Sequence, residues 1–397
     1  MEVCGVAAGC VGRPESIDEL AELVSSSREM VLGVKGSGTK LDWGRPPERL
    51  DLLVDMSLLD AVVEHSAPDL VVRVQAGARL GELQAQLAES GQRLCIDPPE
   101  PDATIGGIVA ANASGPRRYL YRTVRDLILG VTVVLADGTV AKSGSKVVKN
   151  VAGYDLGKLF AGSFGTLGVI AEVILRLHPL PEACRLVSAE VSSPEEVHAL
   201  VRRVVKSQLV PAAVELDWPD VTGGPGRLWS LVEGATAGID ARAGELGELL
   251  GSASVAVAEA GAGTPVPAGL GERPWKAAEI GIKITIEPAA LCEVLSFLRS
   301  ALARAGHRGR LEGQAASGVL YLALAPIEPA EAAGFVSRLR QEVAGYDGAA
   351  VVLVAPPAVK ESVEVWGPVK GLAVMRSLKE RFDPDRRMSP GRFVGGI

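Results

Sequence analysis

The sequence of 397 residues predicts an α+β fold with more than one domain. Three patterns lead to this prediction. Short strand and helix patterns alternate over residues 14–95, glycine-rich stretches without either period occupy much of 96–182, and the order β-α-β-β-α-β occurs twice between 183 and 365. We therefore predict a domain over residues 1–182, a second domain over 183–365 and a C-terminal segment over 366–397.

The first part of the chain carries clear start and stop signals. Ser16 is a favourable N-cap with Glu19 three residues later, and apolar residues follow at helical spacing from Leu20. Asp137-Gly138 is typical of a hairpin turn between strands. The other predicted elements are strands at 31–34, 52–54, 61–64, 70–75, 129–135 and 139–141, a helix at 80–90 that ends at Gly91, and a strand at the end of the run 162–179. The stretch 97–115 has almost no helix or strand period, so we expect a long functional loop there.

The region 183–365 predicts two successive units in the ferredoxin-like order β-α-β-β-α-β. The first unit has strands at 186–191, 212–217, 228–233 and 253–258 and helices at 194–207 and 240–250. The second has strands at 281–287, 310–315, 319–325 and 349–354 and helices at 288–305 and 329–344. A Gly/Ala/Pro stretch at about 260–274 links them, and a short helix is predicted at 374–382 in the C-terminal segment.

Composition excludes several classes of function. The net charge of −7 argues against a nucleic-acid partner, because such binding depends on basic surface. The five cysteines are scattered without a CxxC pair, which favours a reduced, cytoplasmic protein over a disulfide framework or a zinc site; Cys4 and Cys10 alone cannot build an iron–sulfur site. We expect no signal peptide and no membrane anchor, since the apolar runs are about ten residues long.

Three segments rich in small residues, 35–40, 97–115 and 162–170, predict a site for a large phosphate-bearing cofactor. The first matches neither the Walker A motif nor the dinucleotide fingerprint, since Thr39-Lys40 reverses the required Lys-Ser/Thr pair and a third glycine is missing. Its glycines permit positive φ angles, its hydroxyls are donors, and a lysine stands at each end. A tight turn is the alternative for this loop alone, but three such segments together favour the cofactor.

The segments KGSGTK, DPPEPDATIGGIVAANASGPRR and VVKNVAGYDLGKLFAGSFGTLGVIAEVILRLHPLP resemble the FAD-binding domain of the vanillyl-alcohol oxidase, or PCMH, superfamily. In detail they resemble the FAD-binding E subunits of bacterial glycolate oxidases, as does the C-terminal DPDRRMSPGRFVGGI. The resemblance covers essentially the whole chain and is looser over 185–365. It implies a two-subdomain FAD-binding domain, a cap domain, and a C-terminal segment that returns to the FAD-binding domain.

The resemblance implies that FAD binds in the three loops. The first loop would receive the pyrophosphate, the second would contact the pyrophosphate, ribityl chain and flavin edge, and the third would lie along the adenosine half. The residues implied are Lys35, Gly36, Ser37, Gly38, Thr39, Lys40, Pro98, Thr104, Gly106, Gly107, Asn112, Ser114, Gly115, Gly165, Thr166, Gly168 and Ile170. Several relatives tether the flavin through His or Cys in these loops. Thr39 stands where a His often lies, and the loops contain no Cys, so we predict non-covalent FAD.

The same resemblance argues against catalysis by this chain alone. The catalytic sister subunits carry two histidines in the cap that help to hold a metal, and here Gln314 and Tyr321 stand at those positions, so we predict no metal. Lys283, Glu312 and Tyr321 are the remaining catalytic candidates. Strand alternation predicts that Arg310, Glu312 and Gln314 share one face. A solvated sheet face is favoured there over a polar wall towards the flavin.

The resemblance predicts the FAD-binding subunit of a glycolate oxidase complex, which supports oxidation of glycolate to glyoxylate. Its partners would be a catalytic flavoprotein subunit and an iron–sulfur subunit, and any membrane association would be made through them. The alternative is a self-sufficient FAD-dependent dehydrogenase of another 2-hydroxy acid or alcohol that uses Lys283, Glu312 and Tyr321. A weaker alternative is a UDP-sugar enolpyruvyl reductase, which shares this type of FAD domain.

Overall fold

The computed structural model describes residues 1–100, 102–146, 156–251, 254–258 and 271–397. The VVKNVAGYD part of the third resembling segment and most of the predicted linker at 260–274 lie outside the described residues. The chain divides into two compact units. The first consists of Met1–Ser114, Arg122–Leu180 and Val369–Ile397, and the second of Gly115–Tyr121 and Pro181–Pro368. Both units mix helices and strands, which confirms the predicted α+β class. No helix within the described ranges combines the length and apolar character that a membrane span requires.

Residues 1–180 contain the following elements, numbered in chain order. The strands are β1 (Glu2–Val3), β2 (Val6–Ala7), β3 (Cys10–Gly12), β4 (Leu32–Lys35), β5 (Leu52–Asp55), β6 (Val62–Ser66), β7 (Val71–Gln75), β8 (Gln92–Arg93), β9 (Ile128–Val134), β10 (Val140–Gly144), β11 (Val169–Arg176) and β12 (His178–Pro179). The helices are α1 (Ile17–Ser26), α2 (Leu80–Ala88), α3 (Ile105–Ala111), α4 (Arg118–Tyr121), α5 (Val124–Leu127) and α6 (Leu156–Phe160), of which α4 belongs to the second unit.

Two main sheets form the first unit. One is parallel with the strand order β3-β5-β4, and the other is antiparallel with the order β10-β9-β11-β7-β6. Their side chains share one apolar core, in which Leu32 and Val54 of the parallel sheet join Val72, Val133 and Val173 of the antiparallel one. The predicted start of the first helix is confirmed, because the Ser16 hydroxyl accepts a hydrogen bond from the backbone N–H of Glu19.

The expectation that 97–115 has no regular element is wrong, since this stretch contains helix α3. Thr104 caps the helix through a hydrogen bond from the Gly107 N–H to its Oγ1 at 3.3 Å. The sequence signal is weak because two glycines in seven residues lower helix propensity. Burial supplies the missing stabilisation, since Ile105 and Ile108 are fully buried. Gly106 lies so close to β7 that an added Cβ would be 2.7 Å from the Ala76 Cβ.

The second unit is built on an eight-stranded antiparallel sheet in the order β16-β13-β15-β14-β18-β19-β17-β20. Its strands are β13 (Ala183–Val191), β14 (Ala213–Trp218), β15 (Gly226–Gly234), β16 (Ser254–Ala258), β17 (Ile280–Thr285), β18 (Gly309–Gln314), β19 (Val319–Leu324) and β20 (Ala349–Val354). Its main helices are α7 (Pro194–Lys206), α8 (Ile239–Leu250), α9 (Leu291–Ala305), α10 (Pro329–Ala344) and α11 (Pro357–Ser362). Each half runs β-α-β-β-α-β, and the strands β14 and β18 pair where the halves meet.

The two faces of this sheet differ in character. Helix α7 contacts α8 and α9, and α9 contacts α10, so these helices form a layer. An added Cβ at Gly309 would lie 2.8 Å from the Leu302 side chain of α9, which shows that α9 covers the face on which Gly309 and Leu311 point. Because side chains alternate along a strand, Arg310 and Glu312 point to the opposite face.

The C-terminal segment belongs to the first unit and contains helix α12 (Leu372–Phe382). Lys379 is buried, and its ammonium donates hydrogen bonds to the Asp383 carboxylate at 2.6 Å and to the carbonyls of Thr166 and Met388, each at 2.8 Å. Met388 in turn forms a parallel β-bridge with Leu32 of β4. These contacts fix the last residues beside the strand that leads into the first glycine-rich loop.

Candidate functional site

One cleft in the first unit gathers residues from the three glycine-rich segments and the C-terminal segment. Two overlapping hollows form it, both lined by Val34, Gly36, Thr104, Gly107 and Phe164. Of the residues predicted to bind the cofactor, those that line it are Lys35, Gly36, Ser37, Gly38, Thr39, Lys40, Thr104, Gly106, Gly107, Gly165, Gly168 and Ile170. The tertiary fold therefore brings together segments that are separated by about 130 positions in sequence.

The first two loops touch each other at Gly36 and Thr104. A Cβ built on Gly36 would lie 3.0 Å from the Thr104 Cβ and closer still to its Oγ1. Only glycine fits at this contact without displacing Thr104. Gly38 has a φ of +89°, a conformation that glycine adopts at little cost, so the loop turns back on itself after β4. The loop therefore lines the cleft with its backbone at Gly36 and Gly38.

Each of the two lysines that bracket the first loop lies beside a carboxylate. Lys35 forms an ion pair with Asp55 at 3.3 Å, and Lys40 forms one with Glu100 at 3.0 Å. Burial raises the pKa of Asp55, but hydrogen bonds with Ser57 and the nearby Lys35 charge outweigh it, so the pKa is lowered and the carboxylate stays ionised. Both lysines are therefore held in place by carboxylates.

Sequence reasoning missed two cleft residues with distinctive chemistry, Phe164 and Arg392. The Phe164 ring stacks on Phe393 with centroids 5.6 Å apart, and the Arg392 guanidinium lies 5.7 Å from the Phe164 centroid. Arg392 also donates hydrogen bonds to the carbonyls of Leu41 and Trp43. Burial lowers its pKa, although the side chain remains a guanidinium cation at neutral pH. Both residues lie in segments that carry the resemblance, but only contact across the fold places them in the cleft.

Five predicted residues do not line the cleft. Thr166 is buried and donates its hydroxyl hydrogen bond to the Ser163 carbonyl, which is a structural role. Asn112 ends helix α3 in the left-handed conformation. Pro98 and Ser114 are buried, and Gly115 belongs to the second unit.

The catalytic candidates lie together on one row across the sheet of the second unit. Cross-strand pairing places Lys283 directly opposite Tyr321, Tyr321 opposite Glu312, and Glu312 opposite Asp217. Tyr321 is only 3% exposed, while Lys283 and Glu312 are partly exposed. The expectation of a solvated sheet face is therefore wrong for this row, since segment 271–279 also approaches it through Arg273 and Trp275.

Burial and neighbouring charges shift the pKa of each member of this row. Burial lowers the pKa of Lys283, and the nearby Arg118 and Arg273 charges act in the same direction. Burial alone would raise the pKa of Tyr321, but Arg273, Lys283 and Arg118 outweigh it, so the pKa of the phenol is lowered. Burial, followed by repulsion from neighbouring carboxylates, raises the pKa of Glu312 to about 8. Such opposed shifts in one cluster are typical of functional sites.

The resemblance assigns histidines of the catalytic relatives to two positions that are Gln314 and Tyr321 in this chain. Gln314 is 1% exposed, and its amide lies 3.5 Å from the buried Glu215 carboxylate. Tyr321 belongs to the row of Lys283 and Glu312. Within the described ranges, no three His, Cys, Asp or Glu side chains are grouped in a way that would hold a metal ion.

Comparison with known proteins identifies the cofactor of this protein. Residues 8–144 match the family described as FAD binding domain, and residues 361–393 match the C-terminal domain of FAD linked oxidases. The chain is 27% identical to an uncharacterised FAD-linked oxidoreductase of Mycobacterium tuberculosis, over 96% of this chain and 90% of the relative. It is 32% identical to the glycolate oxidase subunit GlcE of Escherichia coli (60% of this chain, 65% of the relative). It is 26% identical to a D-lactate dehydrogenase of Anaerostipes hadrus (95% and 88%).

The fold is also found among solved structures. An alkyldihydroxyacetonephosphate synthase matches with a TM-score of 0.71 and 17% identity, over 96% of this chain and 77% of that one. The cleft fits the cofactor that the family matches name, because its backbone wall at Gly36 and Gly38 lets phosphate oxygens approach main-chain N–H groups. FAD is thus the cofactor of this protein, which is an FAD-dependent oxidoreductase.

Proposed function

We propose that this protein is the FAD-binding subunit of a complex that oxidises a 2-hydroxy acid, with glycolate as substrate and glyoxylate as product. It would work beside a catalytic flavoprotein subunit and an iron–sulfur subunit. The observation that carries the proposal is the cleft of the first unit, whose first two loops lie within residues 8–144, the part that matches FAD-binding domains. The chain is also 32% identical to a glycolate oxidase subunit over 60% of its length. FAD, when bound, supplies the complex with a two-electron carrier.

The chain's own residues bind and orient that cofactor. In this proposal Gly36, Ser37, Gly38 and Thr39 hold the pyrophosphate through backbone and hydroxyl donors, and Phe164 shields the cleft from water. FAD binds without a covalent bond, because the residues that line the described part of the cleft include neither His nor Cys. Exhaustive dialysis against a denaturant should therefore release all the flavin, and flavin that stays on the chain through denaturation would contradict this point.

The need for a catalytic partner is supported by Gln314 and Tyr321, which stand where the sister subunits carry metal-binding histidines. The test is an anaerobic flavin spectrum of the purified chain before and after addition of glycolate, first alone and then with the co-expressed partner subunits. We expect the flavin band to bleach only when the partners are present. A purified chain that carries no FAD would overturn the proposal, and so would an FAD-loaded chain that the partners leave unreduced.

A second candidate function is a self-sufficient dehydrogenase of a 2-hydroxy acid such as D-lactate. The observation that favours it is the row of Lys283, Tyr321 and Glu312. In this row Tyr321 would be the base, because nearby cations lower the pKa of its phenol. Similarity to a D-lactate dehydrogenase over most of both chains agrees with it. In this case D-lactate or glycolate would bleach the flavin of the isolated chain, and Lys283→Ala would abolish that bleaching.

A further inference from the structure

The first unit contains a further cavity that is separate from the FAD cleft. Its volume is about 190 Å³, and none of the described residues that line it also lines the cleft. A cavity of roughly 150 Å³ with apolar walls can hold one benzene ring, so this cavity is large enough for a single-ring molecule. Its wall is mostly apolar and is formed by α6, the loop that follows it, α12 and the segment 393–397. The apolar side chains in it are those of Leu159, Leu167, Met375, Leu378, Phe393 and Ile397.

One hydroxyl group of this wall has hydrogen-bonding capacity left over. Ser163 lines the cavity and is 5% exposed. Its backbone N–H donates a hydrogen bond to the Phe160 carbonyl, and its carbonyl accepts one from the Thr166 hydroxyl at 2.7 Å. The Ser163 Oγ itself is buried and has no hydrogen-bond partner among the described residues. A buried hydroxyl without a partner costs free energy, which a ligand that carries a hydroxyl or carbonyl oxygen would recover.

The side chains of the wall favour an aromatic ligand. Phe393 lines the cavity, and its ring stacks on that of Phe164, with the two planes 10° apart. A ring in the cavity would meet Phe393 at its edge or its face, and both arrangements are favourable for aromatic pairs. Met375, also in the wall, adds a thioether, a group that packs well against aromatic rings. Aromatic and sulfur contacts therefore complement the single hydroxyl of Ser163.

The walls of the cavity are held in a fixed arrangement. Lys379 on α12 donates a hydrogen bond to the Thr166 carbonyl at 2.8 Å, and Thr166 lines the cavity in the same loop as Ser163. The helix that carries Met375 and Leu378 is thus tied to the loop that carries the hydroxyl. A prearranged cavity loses little free energy to ordering when a ligand binds. Met375 and Leu378 are only half-buried, so the cavity is accessible from solvent along α12.

We infer that this cavity is a binding site for a small aromatic molecule that carries one hydroxyl or carbonyl group, such as a phenol. The ring would lie among the apolar side chains beside Phe393, and its oxygen would form a hydrogen bond with the Ser163 hydroxyl. The site uses residues of the first unit only, and it does not depend on the proposed function. No bond is made or broken when the molecule binds.

The test is calorimetric titration of the full-length, FAD-loaded chain with phenol and with toluene, which has a methyl group in place of the hydroxyl. We expect saturable binding of each. Ser163→Ala should weaken phenol binding by roughly threefold to tenfold, which corresponds to one hydrogen bond, and should leave toluene affinity within about twofold of the wild type. The matched control is Ser377→Ala, which removes an exposed hydroxyl from α12 outside the cavity and should change neither affinity.

A second pair of variants tests where the ring binds. Leu378→Trp places a larger side chain in the cavity wall and should abolish the binding of both molecules. Ala373→Leu enlarges an exposed residue of the same helix that does not line the cavity, and both affinities should stay at the wild-type level. Ala161→Leu, also in the wall, provides a second filling variant in case Leu378→Trp does not fold.

Three results would overturn the site. The first is the absence of saturable heat from either molecule at millimolar concentration. The second is wild-type phenol affinity in the folded filling variants, because phenol would then bind elsewhere. The third is an equal response of phenol and toluene to Ser163→Ala, which would show that the Ser163 hydroxyl forms no hydrogen bond with the ligand.

Discussion

Gly36→Ala tests how the two glycine-rich loops make the FAD cleft. The new methyl group would lie 3.0 Å from the Thr104 Cβ and 3.1 Å from its Cγ2, and closer still to Oγ1, whereas ordinary contacts are longer than 3.4 Å. Thr104 must therefore move. Its hydroxyl caps helix α3 through the Gly107 N–H, so the movement also weakens the cap.

The magnitude follows from two terms. Overpacking costs about 1–3 kcal/mol, and loss of an N-cap about 1 kcal/mol, so we expect the first unit to lose about 2–4 kcal/mol. For a unit of this size that lowers the melting temperature by roughly 5–15 °C. Because Gly36 and Thr104 line both hollows of the cleft, FAD affinity should fall at least about tenfold.

The assay is fluorescence titration of the apoprotein with FAD, combined with thermal unfolding. The double variant Gly36→Ala/Thr104→Ala removes the clashing hydroxyl, so its loss of stability should be smaller than the sum of the two single losses. Wild-type FAD affinity and melting temperature in Gly36→Ala, or strict additivity in the double variant, would refute the reasoning.

Three other predictions concern stability. Gly244→Ala, in helix α8 with no atom within 4 Å of the added Cβ, should raise the unfolding free energy by about 0.5–1 kcal/mol and leave FAD affinity unchanged; any destabilisation in urea unfolding contradicts it. Lys379→Met removes the partner of the fully buried Asp383, so it should cost about 3–5 kcal/mol, whereas Arg381→Met at an exposed position of the same helix should cost little in the same assay. Glu312 has its pKa raised from 4.5 to about 8, so the folded state binds the extra proton and wild-type stability should fall as the pH rises between these values. Glu312→Gln should lack this slope, so its unfolding free energy should rise relative to that of the wild type by at most about 1.4 kcal/mol per pH unit. Equal slopes for the two proteins in urea unfolding across that range would refute this prediction.

The site role of this row could not be predicted from the sequence, because its members and the cations around them come from distant parts of the chain. Lys283, Glu312 and Tyr321 come from three strands, and the cations that act on Tyr321 come from residues 118 and 273, about 200 and 50 positions away. Alternation along a strand showed which residues share a face. It could not show that segment 271–279 and helix α4 approach that face, so burial was underestimated.

Local signals in the sequence determined several features by themselves. Ser16 and Glu19 predicted the start of α1, and Asp137-Gly138 predicted the turn between β9 and β10. Each of these depends on backbone preferences and hydrogen bonds within a few residues, which the local sequence specifies.

Tertiary structure alone decided the rest. Helix α3 exists because Ile105 and Ile108 are buried against the sheet and Gly106 fits beside Ala76, although its own residues are poor helix formers. Phe164 and Arg392 reach the cleft from segments more than 200 positions apart, and Lys283 meets Tyr321 through strand register. Long-range burial and pairing depend on how the whole chain closes on itself, so no window of sequence contains the information that sets them.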